Sequence, residues 1–177
     1  MKVVIAGAGI GGLTAAMCLS RAGFDVKVFE AVGELRPLGV GINIQAGAVR
    51  ILSGLGLEPA LAATAIETRE LRYANRHGQT IWADPRGRHA GLPWPQFSIH
   101  RGELQMILYR AAEKMLGPGR INFGRRIAGF EPKAGTVTAR YYVINYWSIA
   151  RLNPLGIIPK GTPVDYTQPH DRARLAN

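Results

Sequence analysis

The sequence predicts an α/β fold that opens with a parallel strand–helix–strand unit, and three adjacent segments support this fold class. Lys2–Ala6 is a short run rich in β-branched residues, which is typical of a buried parallel strand. Ile10–Ala22 carries apolar and small residues at helical spacing, and Gly23 follows as a helix stop. Asp25–Glu30 alternates apolar and polar side chains, which predicts a second strand and completes a βαβ unit.

The middle of the chain predicts a mixture of extended segments and short helices. Gly39–Ile44 is expected to be extended and uses the backbone freedom of glycine twice. Ala46–Leu55 has helical spacing, and Pro59–Ala65 predicts a further short turn of helix. Leu71–Trp82 contains two apolar runs on either side of His77-Gly78, so it predicts two strands joined by a glycine turn.

The second half predicts one strong helix among short strands. Asp84–Gln96 is rich in proline, glycine and arginine and is expected to be a loop. Arg101–Leu116 is the clearest helix, because apolar residues line one of its faces. The predicted strands of this half are Phe97–His100, Ile121–Phe123, Ile127–Phe130 and Thr136–Arg140. Beyond Arg140 the periodicity ends, and no structure is predicted for the proline-rich stretch that follows.

Composition limits the classes of protein that this chain can represent. Its 177 residues are 47% hydrophobic, so a core can form, and the net charge of +10 comes from scattered basic residues. Scattered charge predicts neither a nucleic-acid partner nor a basic interaction helix. No secretory signal or membrane-length apolar run is present, which favours a cytoplasmic protein with no membrane partner. The single Cys18 excludes an internal disulfide and is expected to be buried in its helix.

The turn between the first strand and the first helix carries the strongest functional signal. Gly7-Ala8-Gly9-Ile10-Gly11-Gly12 satisfies the G-x-G-x-x-G pattern of dinucleotide-binding proteins. Gly7 permits the tight turn, Gly9 lets a pyrophosphate approach the backbone, and Gly12 lets the helix pack against the strand. The free N–H groups of the helix N-terminus would bind the phosphates. All six residues, Gly7 to Gly12, are predicted to line the cofactor.

Glu30 ends the second strand and supplies the other half of the predicted site. A carboxylate at this position accepts hydrogen bonds from the hydroxyl groups of an adenosine ribose. Because it would also repel a 2′-phosphate, NADP is disfavoured at this site. FAD and NAD remain, and the glycine pattern does not distinguish between them.

Two further segments resemble a known family. Leu35–Gln45 looks like the segment after the second strand in aromatic-ring flavoprotein monooxygenases, and Ser98–Gln105 looks like a second marker of that family. The branch that residues 1–140 resemble most is that of the flavin monooxygenases of phenazine (pyocyanin) biosynthesis. The resemblance implies that Arg36 contacts FAD and that the backbone of Gly39 and Gly41 runs close to it.

The resemblance also implies a cofactor contact for Arg101, which would reach the ribose or pyrophosphate of FAD. A physical observation supports this role, because Arg101 opens a helix, where a positive charge opposes the helix dipole. A nearby anion would account for that placement. The alternative is an arginine that extends into solvent, and the same alternative stands for Arg36.

The activity implied by the resemblance is hydroxylation of a small aromatic substrate with molecular oxygen. FAD, reduced by NADH or NADPH, would act through a flavin hydroperoxide, so neither a metal site nor a catalytic side chain is predicted. Trp82, Trp94 and Phe97 could line an aromatic pocket or pack in the core. The open alternatives are a non-catalytic FAD-binding or dinucleotide-binding remnant and an NAD-dependent dehydrogenase.

The expected organisation is a Rossmann-like FAD-binding domain interrupted by the start of a second sheet. Residues 1–70 and 98–140 would form the FAD-binding domain, residues 71–97 would begin a substrate-domain sheet, and residues 141–177 would be an atypical tail. The resembled family carries a later Asp-Gly motif and a Gly-Asp motif near FAD, and this sequence contains neither. The expectation is therefore an incomplete, truncated enzyme.

Overall fold

The computed structural model describes residues 1–133 and 135–143, so most of the predicted tail, residues 144–177, lies outside the described residues. The elements, in chain order, are β1 (Lys2–Ala6), α1 (Ile10–Arg21), β2 (Asp25–Phe29), β3 (Gly41–Ile44), α2 (Ala46–Gly54), α3 (Glu58–Thr64), β4 (Ile66–Glu67), β5 (Glu70–Ala74), β6 (Thr80–Pro85), a 3₁₀ turn (Gly87–Ala90), β7 (Phe97–His100), α4 (Arg101–Leu116), β8 (Ile121–Asn122), β9 (Arg125–Lys133) and β10 (Thr136–Val143). None of the helices in the described part has the length and apolarity needed to cross a membrane.

The parallel βαβ unit is present, and the predicted α/β class is confirmed. β1 pairs in parallel with β2, and β2 pairs in parallel with β8, which gives the strand order β1-β2-β8. α1 lies against this sheet and buries Leu13, Ala16 and Met17 completely. A Cβ atom on Gly12 would overlap the carbonyl oxygen of Gly7. The helix therefore packs at a distance that only glycine allows.

The core lies between α1, α4 and the sheets. Leu104, Leu108 and Ala112 recur every four residues on α4 and are buried in the same cluster as the apolar residues of α1. Val26 and Val28 of β2 join that cluster from the parallel sheet. Each buried leucine or valine contributes about 1.5–3 kcal/mol through removal of apolar surface from water. The packing of α1 against α4 is therefore strongly favoured, and it fixes the position of the turn that precedes α1.

A second sheet has the order β3-β7-β4, and all of its pairings are antiparallel. Gly41 on β3 lies opposite His100 on β7, immediately before α4 begins. Because of this pairing, the loop that precedes β3 ends next to the N-terminus of α4. The short strand β4 was not predicted, because two residues carry no periodicity.

The predicted strand pair around Gly78 is confirmed as the antiparallel pair β5–β6. Gly78 adopts a left-handed φ of 80° in the turn, a conformation that glycine reaches without strain. Trp82 is 48% exposed and stacks on Tyr73 across the pair, with ring centroids 5.7 Å apart. Whether these strands belong to a substrate domain stays a prediction.

Three expectations need correction. β1 was expected to be a buried strand, yet Val4 is 49% exposed, because Val3 and Ile5 face the core while Val4 points to the opposite face, which the described residues leave open. Cys18 is exposed, because it shares a helical stripe with Gly11 and Ala15 that faces away from the core. Asp84–Gln96 was expected to be a loop, but its start belongs to β6 and its middle forms a 3₁₀ turn.

The strand predicted over Thr136–Arg140 is longer in the structure, as β10, whereas the domain boundary predicted after Arg140 stays a prediction. The strand pairs antiparallel with β9 as far as Val143, across a register shift between Arg140 and Tyr141. Tyr141 packs on Phe29 of β2, with ring centroids 4.9 Å apart. This tertiary contact and the β9 pairing, rather than any local pattern, extend the strand past the predicted end.

The N-terminus of α3 is stabilised by Glu58, and this leads to a prediction about acid sensitivity. Glu58 accepts a hydrogen bond from the Ser53 hydroxyl (2.6 Å) and one from the Arg88 guanidinium (2.7 Å). The Ser53 hydrogen bond and then the Arg88 contacts outweigh desolvation and hold the pKa of Glu58 below its ordinary value of 4.5. The ionised form therefore stabilises the fold above that value, and the contribution is lost as pH falls through the lowered pKa.

We expect Glu58→Gln to unfold at lower urea concentration than the parent at neutral pH, since it removes the charged acceptor. We also expect its stability to fall less steeply with pH between about 5 and 3 than that of the parent. Urea midpoints measured across this range test both points. Glu34→Gln, in the exposed loop before β3, is the matched control. Equal slopes for parent and Glu58→Gln would contradict the assignment.

Candidate dinucleotide site

The turn between β1 and α1 consists of glycine and one buried alanine. Gly7 has a φ of 98°, in the region that disfavours side chains, and its N–H donates to the Phe29 carbonyl at the end of β2 (2.7 Å). Gly9 is the N-cap of α1, with no side-chain cap and no acidic residue in the first turn. The first amides of the helix therefore have neither a side-chain cap nor a nearby carboxylate of their own turn to compete with an anion.

Glu30 lies directly beside this turn. One carboxylate oxygen, Oε2, accepts a hydrogen bond from the Ala8 N–H at 2.6 Å, and the other, Oε1, accepts one from the Val32 N–H at 3.0 Å. Each carboxylate oxygen can accept more than one hydrogen bond, so capacity remains for hydroxyl groups of a sugar. The sequence predicted a carboxylate near the turn. The structure adds that the same group holds the turn in place.

The glycines of the turn divide into two groups by the space around them. A Cβ atom added to Gly9 or Gly11 would have no heavy atom within 4 Å, whereas one added to Gly12 would overlap the Gly7 carbonyl. Gly12 is therefore required by helix packing, and Gly9 is not required by any contact within the described protein. Open space above the N-cap of α1, next to unpaired helix amides, fits a pyrophosphate group.

The loop before β3 is attached to the start of α4 by backbone contacts. The Arg101 N–H donates to the Val40 carbonyl (3.0 Å), and Nε2 of His100 lies 3.0 Å from the Gly39 carbonyl oxygen. Gly102 approaches the backbone of Pro37 so closely that a Cβ atom there would overlap it. Gly39 itself, with φ of 136°, packs on the Arg101 side chain, which would lie 3.2 Å from an added Cβ.

The predicted site residues therefore form two groups. Gly7 to Gly12 and Glu30 come together at the start of α1, while Gly39, Gly41 and Arg101 come together at the start of α4. Arg36 is 71% exposed and lies 3.7 Å from the Glu34 carboxylate, so it extends from the surface of the loop. The roles of these residues toward a cofactor stay predictions.

One contact that the sequence did not predict joins the two groups. The side chain of Gln105, one turn beyond Arg101 on α4, donates from Nε2 to the Ala8 carbonyl at 3.0 Å. Gln105 belongs to the second family marker, Ser98–Gln105, but nothing in its local pattern indicates a partner 97 residues away. The sequence did contain one indication, because residues four positions apart lie on the same face of a helix and Gln105 follows Arg101 by four.

The three aromatic residues considered for a substrate pocket do not share one environment. Phe97 is 3% exposed and packs in the core, which supports the packing alternative for this residue. Trp94 is partly buried against the same core, with the Arg50 guanidinium 6.0 Å from its ring. Trp82 lies on the exposed β5–β6 pair, away from that cluster. In the described part of the chain, Trp82 thus lies in a different environment from Trp94 and Phe97.

The glycine turn, the carboxylate beside it and the parallel sheet define a Rossmann-like dinucleotide-binding protein. Residues 1–146 match the family described as FAD binding domain, and the chain belongs to that family. This result confirms FAD as the dinucleotide of the family and resolves the choice that the glycine pattern left open.

The curated relatives confirm the resemblance to flavin-dependent monooxygenases. The chain is 54% identical over 130 residues to phenazine 1,6-dicarboxylic acid hydroxylase PhzS of Lysobacter antibioticus, covering 73% of this chain and 32% of that protein. It is 37% identical over 136 residues to an FAD-dependent urate hydroxylase of Mycolicibacterium vanbaalenii, covering 74% of this chain and 33% of the relative. The chain thus spans about a third of the length of these relatives.

Solved structures show the same architecture. HpxO of Klebsiella pneumoniae, solved with FAD and uric acid, superposes with a TM-score of 0.63 at 28% identity, over 80% of this chain and 35% of HpxO. FqzB superposes with a TM-score of 0.66 at 26% identity, over 80% of this chain and 33% of FqzB. The described fold therefore corresponds to about a third of each of these proteins.

The glycines of the turn give a prediction that separates cofactor binding from folding. We expect Gly9→Ala to fold with nearly unchanged thermal stability but to lose most of its affinity for FAD, because its Cβ would occupy the open space above the N-cap. We expect Gly12→Ala to be destabilised by about 1–3 kcal/mol, because the overlap is with backbone. Thermal unfolding without FAD and titration with FAD measure the two effects.

Gly11→Ala is the control for stability, since its Cβ has open space and alanine favours a helix by up to about 1 kcal/mol over glycine. It should therefore unfold at the same temperature as the parent or higher. Full FAD affinity in Gly9→Ala would contradict the placement of the pyrophosphate.

Proposed function

We propose that this chain binds FAD, with the pyrophosphate on the N-terminal amides of α1 and the adenosine ribose on Glu30. The observation that carries the proposal is the contact of the Glu30 carboxylate with the Ala8 N–H at 2.6 Å, beside open space at Gly9. A ribose acceptor and a phosphate-binding turn are thus held at adjacent positions. Helix amides and the helix dipole stabilise the negative charge of the phosphates.

The second group of residues forms the opposite side of the proposed FAD site. Gly39 and Gly41 would bring backbone close to the cofactor, and Arg101 would place its positive charge toward the ribose or pyrophosphate. Support for this arrangement comes from the attachment of the loop to α4, through the Arg101 N–H and the Val40 carbonyl. Arg36 is exposed and would contact FAD from the loop surface.

The reaction we propose is hydroxylation of a small aromatic substrate, with NADH or NADPH as reductant and molecular oxygen as oxidant. FAD supplies the redox chemistry when bound, taking electrons from the reduced nicotinamide and passing them to oxygen. The role of the described residues is to bind and orient the cofactor at its adenosine diphosphate end. The relatives support a small cyclic substrate, since their names specify a phenazine dicarboxylic acid, which is aromatic, and urate, which is a fused nitrogen heterocycle.

Because the chain spans about a third of these relatives, FAD binding and turnover need separate tests. The cytoplasmic location, and the predictions of no nucleic-acid and no membrane partner, rest on the sequence alone. Measurements of FAD binding, NAD binding and turnover also distinguish the two alternatives, a non-catalytic FAD-binding protein and an NAD-dependent dehydrogenase.

We expect the purified chain to take up FAD, which quenches flavin fluorescence on titration, and to bind NAD much more weakly. Consumption of NADH or NADPH that rises with an added aromatic compound, such as a phenazine carboxylic acid, would support the monooxygenase. FAD binding without turnover would support the non-catalytic alternative. Tight binding of NAD with no uptake of FAD would overturn the proposal in favour of the dehydrogenase.

A further inference from the structure

The peptide units of the glycine turn have no side chains of their own that could fix their orientation. Ala8 is flanked by Gly7 and Gly9, and glycine populates a wider range of backbone conformations than any other residue. A site that presents amides to a pyrophosphate loses affinity if those amides are not oriented before binding, since ordering them costs free energy. The orientation must therefore come from groups outside the turn.

Two side chains from distant parts of the chain hold the backbone of Ala8. The Glu30 carboxylate accepts from its N–H at 2.6 Å, and the Gln105 amide donates to its carbonyl oxygen at 3.0 Å. Ala8 is completely buried, so water cannot replace a lost partner at no cost. Glu30 is already assigned to the ribose, whereas Gln105 has no assigned role.

We propose that Gln105 is a positioning residue for FAD, which sets the orientation of the Ala8–Gly9 peptide by donating a hydrogen bond to the Ala8 carbonyl. The C=O and N–H of a trans peptide point in opposite directions. Holding the carbonyl toward α4 therefore directs the Gly9 N–H away from α4, at the N-cap of α1. This inference rests on the proposed binding of the pyrophosphate at that N-cap.

The place of Gln105 on α4 explains why it can serve this role. It follows Leu104, whose side chain is buried in the core with Leu108, so the packing of α4 against α1 fixes the position of the Gln105 backbone. Arg101 lies one turn earlier on the same helix, where its N–H holds the loop before β3. One rigid helix thus positions both sides of the proposed site.

The test compares Gln105→Met with Tyr109→Phe in the full chain. Methionine has similar size and helix propensity to glutamine but donates no hydrogen bond. Tyr109 lies one turn further along α4 and donates to Glu113 at 3.0 Å, so its phenylalanine variant removes a hydrogen bond from the same helix without touching the turn. Amide hydrogen exchange of residues 7–13 without FAD, and FAD affinity by fluorescence titration, are measured for both.

We expect Gln105→Met to bind FAD about 3- to 10-fold more weakly, the loss that corresponds to one ordinary hydrogen bond. Amides in residues 7–13, which include Ala8 and Leu13, should exchange faster than in the parent. Tyr109→Phe should change neither. Should Gln105→Met not fold, Gln105→Asn serves in its place, because it keeps the amide but is one methylene too short to reach.

Unchanged exchange and unchanged FAD affinity in the Gln105 variant, even with a lower melting temperature, would overturn the inference and leave Gln105 a packing residue. Failure of the parent chain to bind FAD would instead refute the proposed function. In that case the exchange measurement still decides whether Gln105 orients the turn: faster exchange supports this role, and unchanged exchange overturns it.

Discussion

At Gly12 the first turn of α1 approaches the carbonyl oxygen of Gly7 so closely that any side chain would overlap it. This backbone-to-backbone contact sets where the helix begins relative to β1, and with it the position of the first helix amides. The hydrogen bond from Gly7 to Phe29 then ties the turn to β2, so the strand, turn and helix form one unit. The close contact lies on the Gly12 side of the turn, whereas the space next to Gly9 is open.

The geometry of the site depends on contacts that no single element supplies. Glu30 reaches the turn from the end of β2, and α4 reaches it from the opposite side through Gln105. The same helix holds the loop before β3 through Arg101 and Val40. The position of α4 follows in turn from the packing of Leu104 and Leu108 in the core, so apolar burial far from the surface determines the shape of a polar site.

Membership of the FAD binding domain family accounts for these features together. The relatives named for hydroxylation of a phenazine dicarboxylic acid and of urate share about a third of their length with this chain. In the proposed function, the described residues bind the adenosine diphosphate portion of FAD. Apolar side chains such as Val4 on β1 and Ile81 on β6 remain exposed on the same part.

The sequence by itself determined the features that depend on local geometry. The spacing of Gly7, Gly9 and Gly12 predicted a turn and a closely packed helix, because Gly7 has a left-handed φ and Gly12 has no room for a Cβ atom. The apolar spacing of Arg101–Leu116 predicted α4 with the observed bounds, since one face of a long helix must be buried.

Only the tertiary structure decided which distant groups meet. Gln105 and Ala8 are 97 residues apart, and the extension of β10 to Val143 likewise depends on a neighbouring strand, β9. Local patterns specify how a segment folds and which face it buries. They do not specify the register in which packed elements place one side chain against another, because that register is set by the fit of the whole core.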